Sequence, residues 1–111
     1  MIFFKRRFGD LIERQLDLFE QDNGELFERI ADAEADYRAA RQGEAEERFG
    51  DLQELITDGT DDLIELRDTY ALTLDEETAE EYTAAFDFAV LRRFPQFALE
   101  LQDEEEPDDQ P

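Results

Sequence analysis

The sequence predicts an all-α fold: a long antiparallel helical hairpin plus a third helix, completing a helical bundle as a dimer. Three observations predict it. Apolar residues recur at alternating spacings of four and three along two long runs, Gln42-Gly43 separates the runs, and a third apolar stretch stops at Pro95.

The first run places Ile12, Leu16, Phe19, Asn23, Leu26, Ile30, Ala33, Tyr37 and Ala40 on one seam. The second places Ala45, Phe49, Leu52, Ile56, Gly59, Leu63, Leu66 and Tyr70 on another. Folding the chain at Gln42-Gly43 sets Leu26 opposite Gly59 and Asn23 opposite Asp62. Each run also holds a turn-forming cluster, Asp22-Asn23-Gly24 in the first and Asp58-Gly59-Thr60-Asp61 in the second. The seams keep their phase across both clusters, so each helix is expected to be kinked but continuous.

The third helix is expected to start at Thr73, with Glu76 reaching back to complete the cap and acids crowding a first turn that favours negative charge. Arg92 and Arg93 suit its last turn, and Pro95 ends it near Phe94. Tyr82, Phe86, Val90 and Phe94 share one face, while Phe88 and Leu91 lie off it. A helix apolar on more than one side calls for cover on more than one side. Phe97, Leu99 and Leu101 continue the apolar surface. Residues 1–101 therefore read as a single helical-bundle domain and residues 102–111 as a disordered acidic tail. A chain of 111 residues supports one modest core.

One short string occurs twice: Arg7-Phe8-Gly9-Asp10-Leu11 and Arg48-Phe49-Gly50-Asp51-Leu52. Beyond it the copies fall out of step, with Ile12 answering to Gln53 and Leu16 to Thr57, whereas a duplication keeps its core positions. The repeat reads as local convergence on helix-start chemistry: an aromatic anchor, a glycine, and an Asp in the first turn.

Charge and composition exclude much. Thirty-three acidic residues against eleven basic ones give a net charge of −22, which repels nucleic-acid phosphates, so no direct nucleic-acid binding is expected. The basic set is ten Arg and the single Lys5, a balance suited to a salt-rich medium that screens self-repulsion. No Cys, His, Ser or Trp occurs, which removes disulfides, thiolate metal sites and the common nucleophile–base pairs together. A catalytic carboxylate pair needs a cleft, and a bundle of this size offers little of one.

Metal sites fail on register. An EF-hand with Gly24 at its sixth position puts Phe19 and Ile30 at ligand positions, and one with Gly59 there puts Ile56 at the third. A carboxylate-bridged di-metal bundle needs histidines that this chain lacks, and its acids sit off the seams. No catalytic residue, cofactor or metal ligand is assigned.

No window reaches the ~18 apolar residues of a membrane span, and no apolar region follows Lys5-Arg6-Arg7 as in a secretory signal, so a cytoplasmic protein is expected. Ile2, Phe3 and Phe4 beside that basic triplet resemble an interfacial anchor. Asp10, Glu13, Asp17 and Glu20 would be repelled by anionic lipid, which favours core cover or a docking end.

These readings converge on a non-enzymatic helical interaction, adaptor or assembly protein that forms a homodimer and binds protein partners. The candidate interaction surface is Ile2, Phe3, Phe4, Phe88, Leu91 and Phe97. The alternative is an acidic nucleic-acid mimic occupying a DNA-binding protein, since Glu44 to Glu81 holds fifteen acids and two Arg. Against mimicry, Glu46, Asp51, Glu54, Asp58 and Asp61 spread over more than one exposed side, as salt adaptation requires.

Overall fold

The computed structural model describes residues 2–97, with side chains from Arg7 onward. The expected tail at 102–111, with Leu99 and Leu101, lies outside the described residues. Among those described there is no strand. Four helices follow one another: α1 (Ile2–Asp22), α2 (Gly24–Ala39), α3 (Ala45–Ala71) and α4 (Glu76–Arg93).

The first apolar run, expected to be one continuous helix, is divided at Asn23. Its backbone sits at φ −118°, ψ 31°, outside the helical region. The Asn23 side-chain amide donates to the Phe19 carbonyl at 2.9 Å, and the Asn23 backbone N–H donates to the same oxygen at 3.0 Å. A short amide that competes for a helix carbonyl, followed at once by glycine, is a local cause for the break. The ladder resumes immediately, with Phe27 N–H donating to the Asn23 carbonyl at 3.0 Å. The result is a sharp bend rather than a loop. α3, by contrast, runs unbroken through Asp58-Gly59-Thr60-Asp61, where Gly59 and Thr60 are buried.

Side-chain pairs give the directions. Arg7 meets Glu81 and Arg93 meets Glu20, so α1 and α4 run parallel. Arg67 meets Asp87 and Tyr70 stacks near Tyr82, so α3 runs against α4. Leu26 lies against Gly59 and Tyr37 against Phe49, so α2 runs against the first half of α3. The bend at Asn23 thus separates two regions. The base holds α1, the second half of α3, and α4. The arm holds α2 and the first half of α3.

The base carries the tightest burial, with Leu16, Leu63, Tyr82, Phe86 and Val90 all at or below 1% exposure. In the arm the buried side chains are Ile30, Leu52 and Ile56. Where the two regions meet, Phe19, Phe27, Phe94 and Phe97 form a ring cluster with centroids 5.3–6.1 Å apart. Phe97 seats its ring on Gly59, where an added Cβ would come within 2.5 Å of it. Only glycine leaves that space.

Two local expectations are corrected. Thr73 does not open α4; its hydroxyl donates to the Tyr70 carbonyl at 2.7 Å and closes α3. Asp75 is the cap, its carboxylate accepting from Thr78 N–H at 3.4 Å, which holds its pKa below the usual value. The repeated string does not mark helix starts either. Phe8 lies inside α1 and packs edge-on to Tyr82, whereas Phe49 lies inside α3 and is 47% exposed beside Tyr37. Neither Asp10 nor Asp51 falls in a first turn. The two copies share letters and do different work.

Candidate functional site

α1 and α4 lie side by side and are clasped at both ends. Near the start of α1, the Arg7 guanidinium meets the Glu81 carboxylate at 3.1 Å. Near its end, Arg93 donates to Asp17 at 2.7 Å and to Glu20 at 2.8 Å, and these hydrogen bonds, Glu20 first, raise its pKa above the ordinary value. Between the clasps, Tyr82 donates to the Gln15 side-chain oxygen at 2.8 Å. Burial pushes the Tyr82 phenol up to about 12, so it stays a donor across the neutral range.

Outside this line of contacts, the helices leave an open groove of about 290 Å³. Gly9, Ile12 and Leu16 contribute its α1 wall, and Ala85, Phe88 and Ala89 its α4 wall. Small residues make the floor shallow. Glu13 stands on the α1 rim and Arg92 on the α4 rim. The Arg92 guanidinium lies 5.7 Å from the centre of the Phe88 ring, a cation–π contact at the edge of the groove.

Phe88 and Leu91 are 40% and 42% exposed. With exposed Ala84 they form a stripe at i, i+4 and i+7 along the outer side of α4. Of the six residues expected to make an interaction surface, the structure brings these two together. Phe97 is removed from that set: it is fully buried, because the turn after Pro95 carries it into the ring cluster over Gly59. Ile2, Phe3 and Phe4 belong to the first turns of α1, and their side chains lie outside the described residues.

Sequence reasoning missed the other half of the face. Gly9 was read only as part of a repeat, and Ile12 and Leu16 only as seam. The parallel approach of α1 to α4, which opens the groove, has no local signature. A second exposed apolar pair, the aromatics Tyr37 and Phe49, sits at the far end of the arm with rings 5.5 Å apart. Both carry seam spacing, but the loop at 40–44 ends the arm and no further layer among the described residues covers them. Their position beside that loop was the available signal.

Among the described residues, no group of three or more acids is placed to hold a metal ion. No helix among them is long and apolar enough to cross a membrane. The groove brings together hydrocarbon, one carboxylate and guanidinium groups. That is the chemistry of a docking face. No known protein family, curated protein or solved structure matches the chain.

Proposed function

We propose that this chain is a non-enzymatic helical interaction protein, an adaptor or assembly factor that self-associates. Its scaffold is the antiparallel pairing of α2 with α3, carried on a base in which α4 lies between α1 and α3. The observation that carries the reading is exposed Phe88 at the edge of an open groove on the base, with Leu91 exposed on the next turn of α4. Large side chains at such a position supply most of the affinity of helical contacts, and the acids around them set where and at what salt contact forms.

The acidity fits the same picture as a solvating coat for a salt-rich setting. Residues 24–58 alone hold eleven acids against four Arg, on an arm only two helices thick. Salt that screens these charges favours both the compact chain and its association.

Light scattering behind size exclusion tests the reading, run in low salt and in molar KCl on the wild type and on a Phe88→Asp, Leu91→Asp double variant. The expected result is a dimer of the wild type in molar salt and a folded monomer for the variant. A wild-type monomer at both salts that binds a histone with steep salt dependence would replace this reading with the nucleic-acid mimic.

A further inference from the structure

We infer that the α1/α4 groove is a two-fold interface that receives a second copy of this chain, each Phe88 entering the groove of the other protomer. The inference rests on the self-association reading and names the surface and geometry through which it occurs.

A closed contact between identical chains requires one face to carry both a projection and its recess. This face does. Phe88 stands out from α4 at 40% exposure, and directly beside it Gly9, Ala85 and Ala89 leave a shallow floor. The faces of a heterologous pair need no such self-complementarity.

Charge gives the second, independent argument. Two chains of net charge −22 repel strongly, so they meet where carboxylates are fewest. From Phe88 to Leu99 the sequence contains no acid and two Arg, and its described part forms the end of α4 and the turn that follows. The rim is also mixed in sign, with Glu13 on α1 and Arg92 on α4. A two-fold axis between those residues lays Glu13 of one protomer over Arg92 of the other, and the reverse pair forms by symmetry. An acidic partner would meet Glu13 unpaired, and a basic partner would meet Arg92 and Arg93.

The chain has no cysteine, so single thiols report position without background. Asp10 is exposed on α1 three residues before Glu13 and outside the groove lining, and Gly43 at the arm's end has open space where a side chain would begin. Asp10→Cys and Gly43→Cys therefore place one thiol beside the groove and one far from it for a short bis-maleimide. The expected result is a covalent dimer from Asp10→Cys and none from Gly43→Cys. At moderate ionic strength, Glu13→Arg and Arg92→Glu are each expected to weaken the dimer about tenfold, because each reversal acts at two symmetric ion pairs. The Glu13→Arg, Arg92→Glu double variant is expected to regain wild-type affinity. That rescue is the readout a merely structural role would not give.

A dimer that cross-links through Gly43→Cys, or one indifferent to both reversals, overturns this interface while leaving self-association standing. A wild-type monomer at every salt overturns both. A monomer whose Asp10→Cys thiol resists maleimide overturns the proposal, because the face is then covered from within the chain.

Discussion

The base and the arm are built from the same heptad spacing, yet they bury it to different depths. In the base, Tyr82, Phe86 and Val90 are at 0% exposure because α4 lies between α1 and α3 and meets both. In the arm, Leu52 and Ile56 retain 8% and 9%, and Tyr37 and Phe49 retain 40% and 47%, because each helix meets one. Spacing determines which way a residue points. The number of neighbours determines how far it is removed from water, and with it how much burial stabilises the fold at ~25 cal/mol per Å². The arm is therefore the weaker region, held to the base by the bend at Asn23, the unbroken α3 and the four-ring cluster.

That last connection is the place to break the comparison. Phe97 touches both regions, packing on Phe94 and Phe19 from the base and on Phe27 and Gly59 from the arm. Phe97→Ala is expected to cost about 3–5 kcal/mol in denaturant unfolding, the range for removing a buried ring. Its second effect separates the regions. Amide exchange across residues 24–58 is expected to quicken more than exchange in α4, since the arm loses part of its footing while the base keeps Tyr82, Phe86 and Val90. Equal quickening in both would show that base and arm unfold as one unit.

A smaller difference separates the two regions electrostatically. In the base, Arg67 has a side chain 13% exposed and donates to Asp68 and Asp87 at 2.9 Å each. Burial works to lower its pKa, but the bonds from both carboxylates outweigh that and leave it raised. In the arm, Arg48 approaches Asp51 at only 3.9 Å, with side chains 41% and 58% exposed. Arg67→Met is expected to destabilise the chain by about 2 kcal/mol, in low and high salt alike. Arg48→Met is expected to cost no more than about 0.5 kcal/mol, an effect that vanishes in molar salt. Melts of the two variants at both salts check it. A large salt-independent loss from Arg48→Met would mean the arm is covered by more than the structure shows.

How much of this was legible in the sequence follows from the same physics. Ile12, Leu16, Phe19, Ile30, Leu52, Ile56 and Leu63 were readable as core because periodicity reports direction, and a neighbour lies in that direction. Tyr37 and Phe49 carried the same signal and were misjudged, since periodicity does not report where a bundle ends. Of the face on the base, Phe88 and Leu91 were legible as apolar residues off the main stripe of α4. The groove beside them was not, because it arises from the parallel approach of two helices more than 50 residues apart in sequence. Phe97 continues the four-three spacing of Val90 and Phe94, but it lies beyond the proline expected to end the helix, so its phase could not be carried across that break. The bend at Asn23 turned on a competition between seam phase and one side-chain amide, which the amide won.

Two glycines in one helix most sharply distinguish position from composition. Gly50 and Gly59 lie in the same helix, α3, nine residues apart, one in the arm and one at its footing. At Gly50 an added Cβ meets nothing within 4 Å. Gly50→Ala should therefore show only the helix preference of alanine over glycine, a gain of about 0.8–1 kcal/mol. At Gly59 the same methyl would stand 2.5 and 2.7 Å from two atoms of the Phe97 ring and 3.2 Å from Leu26. Forcing a methyl into packed space costs about 1–3 kcal/mol, so after the propensity gain Gly59→Ala should lose about 1 kcal/mol net. The sign of the pair is the test, read by urea unfolding at one fixed salt concentration. Adding Phe97→Ala to Gly59→Ala removes the ring that blocks the methyl, so the Gly59→Ala penalty should disappear in that background. If it persists there, the methyl is blocked by Leu26 rather than by the ring, and Phe97 does not hold the arm through Gly59.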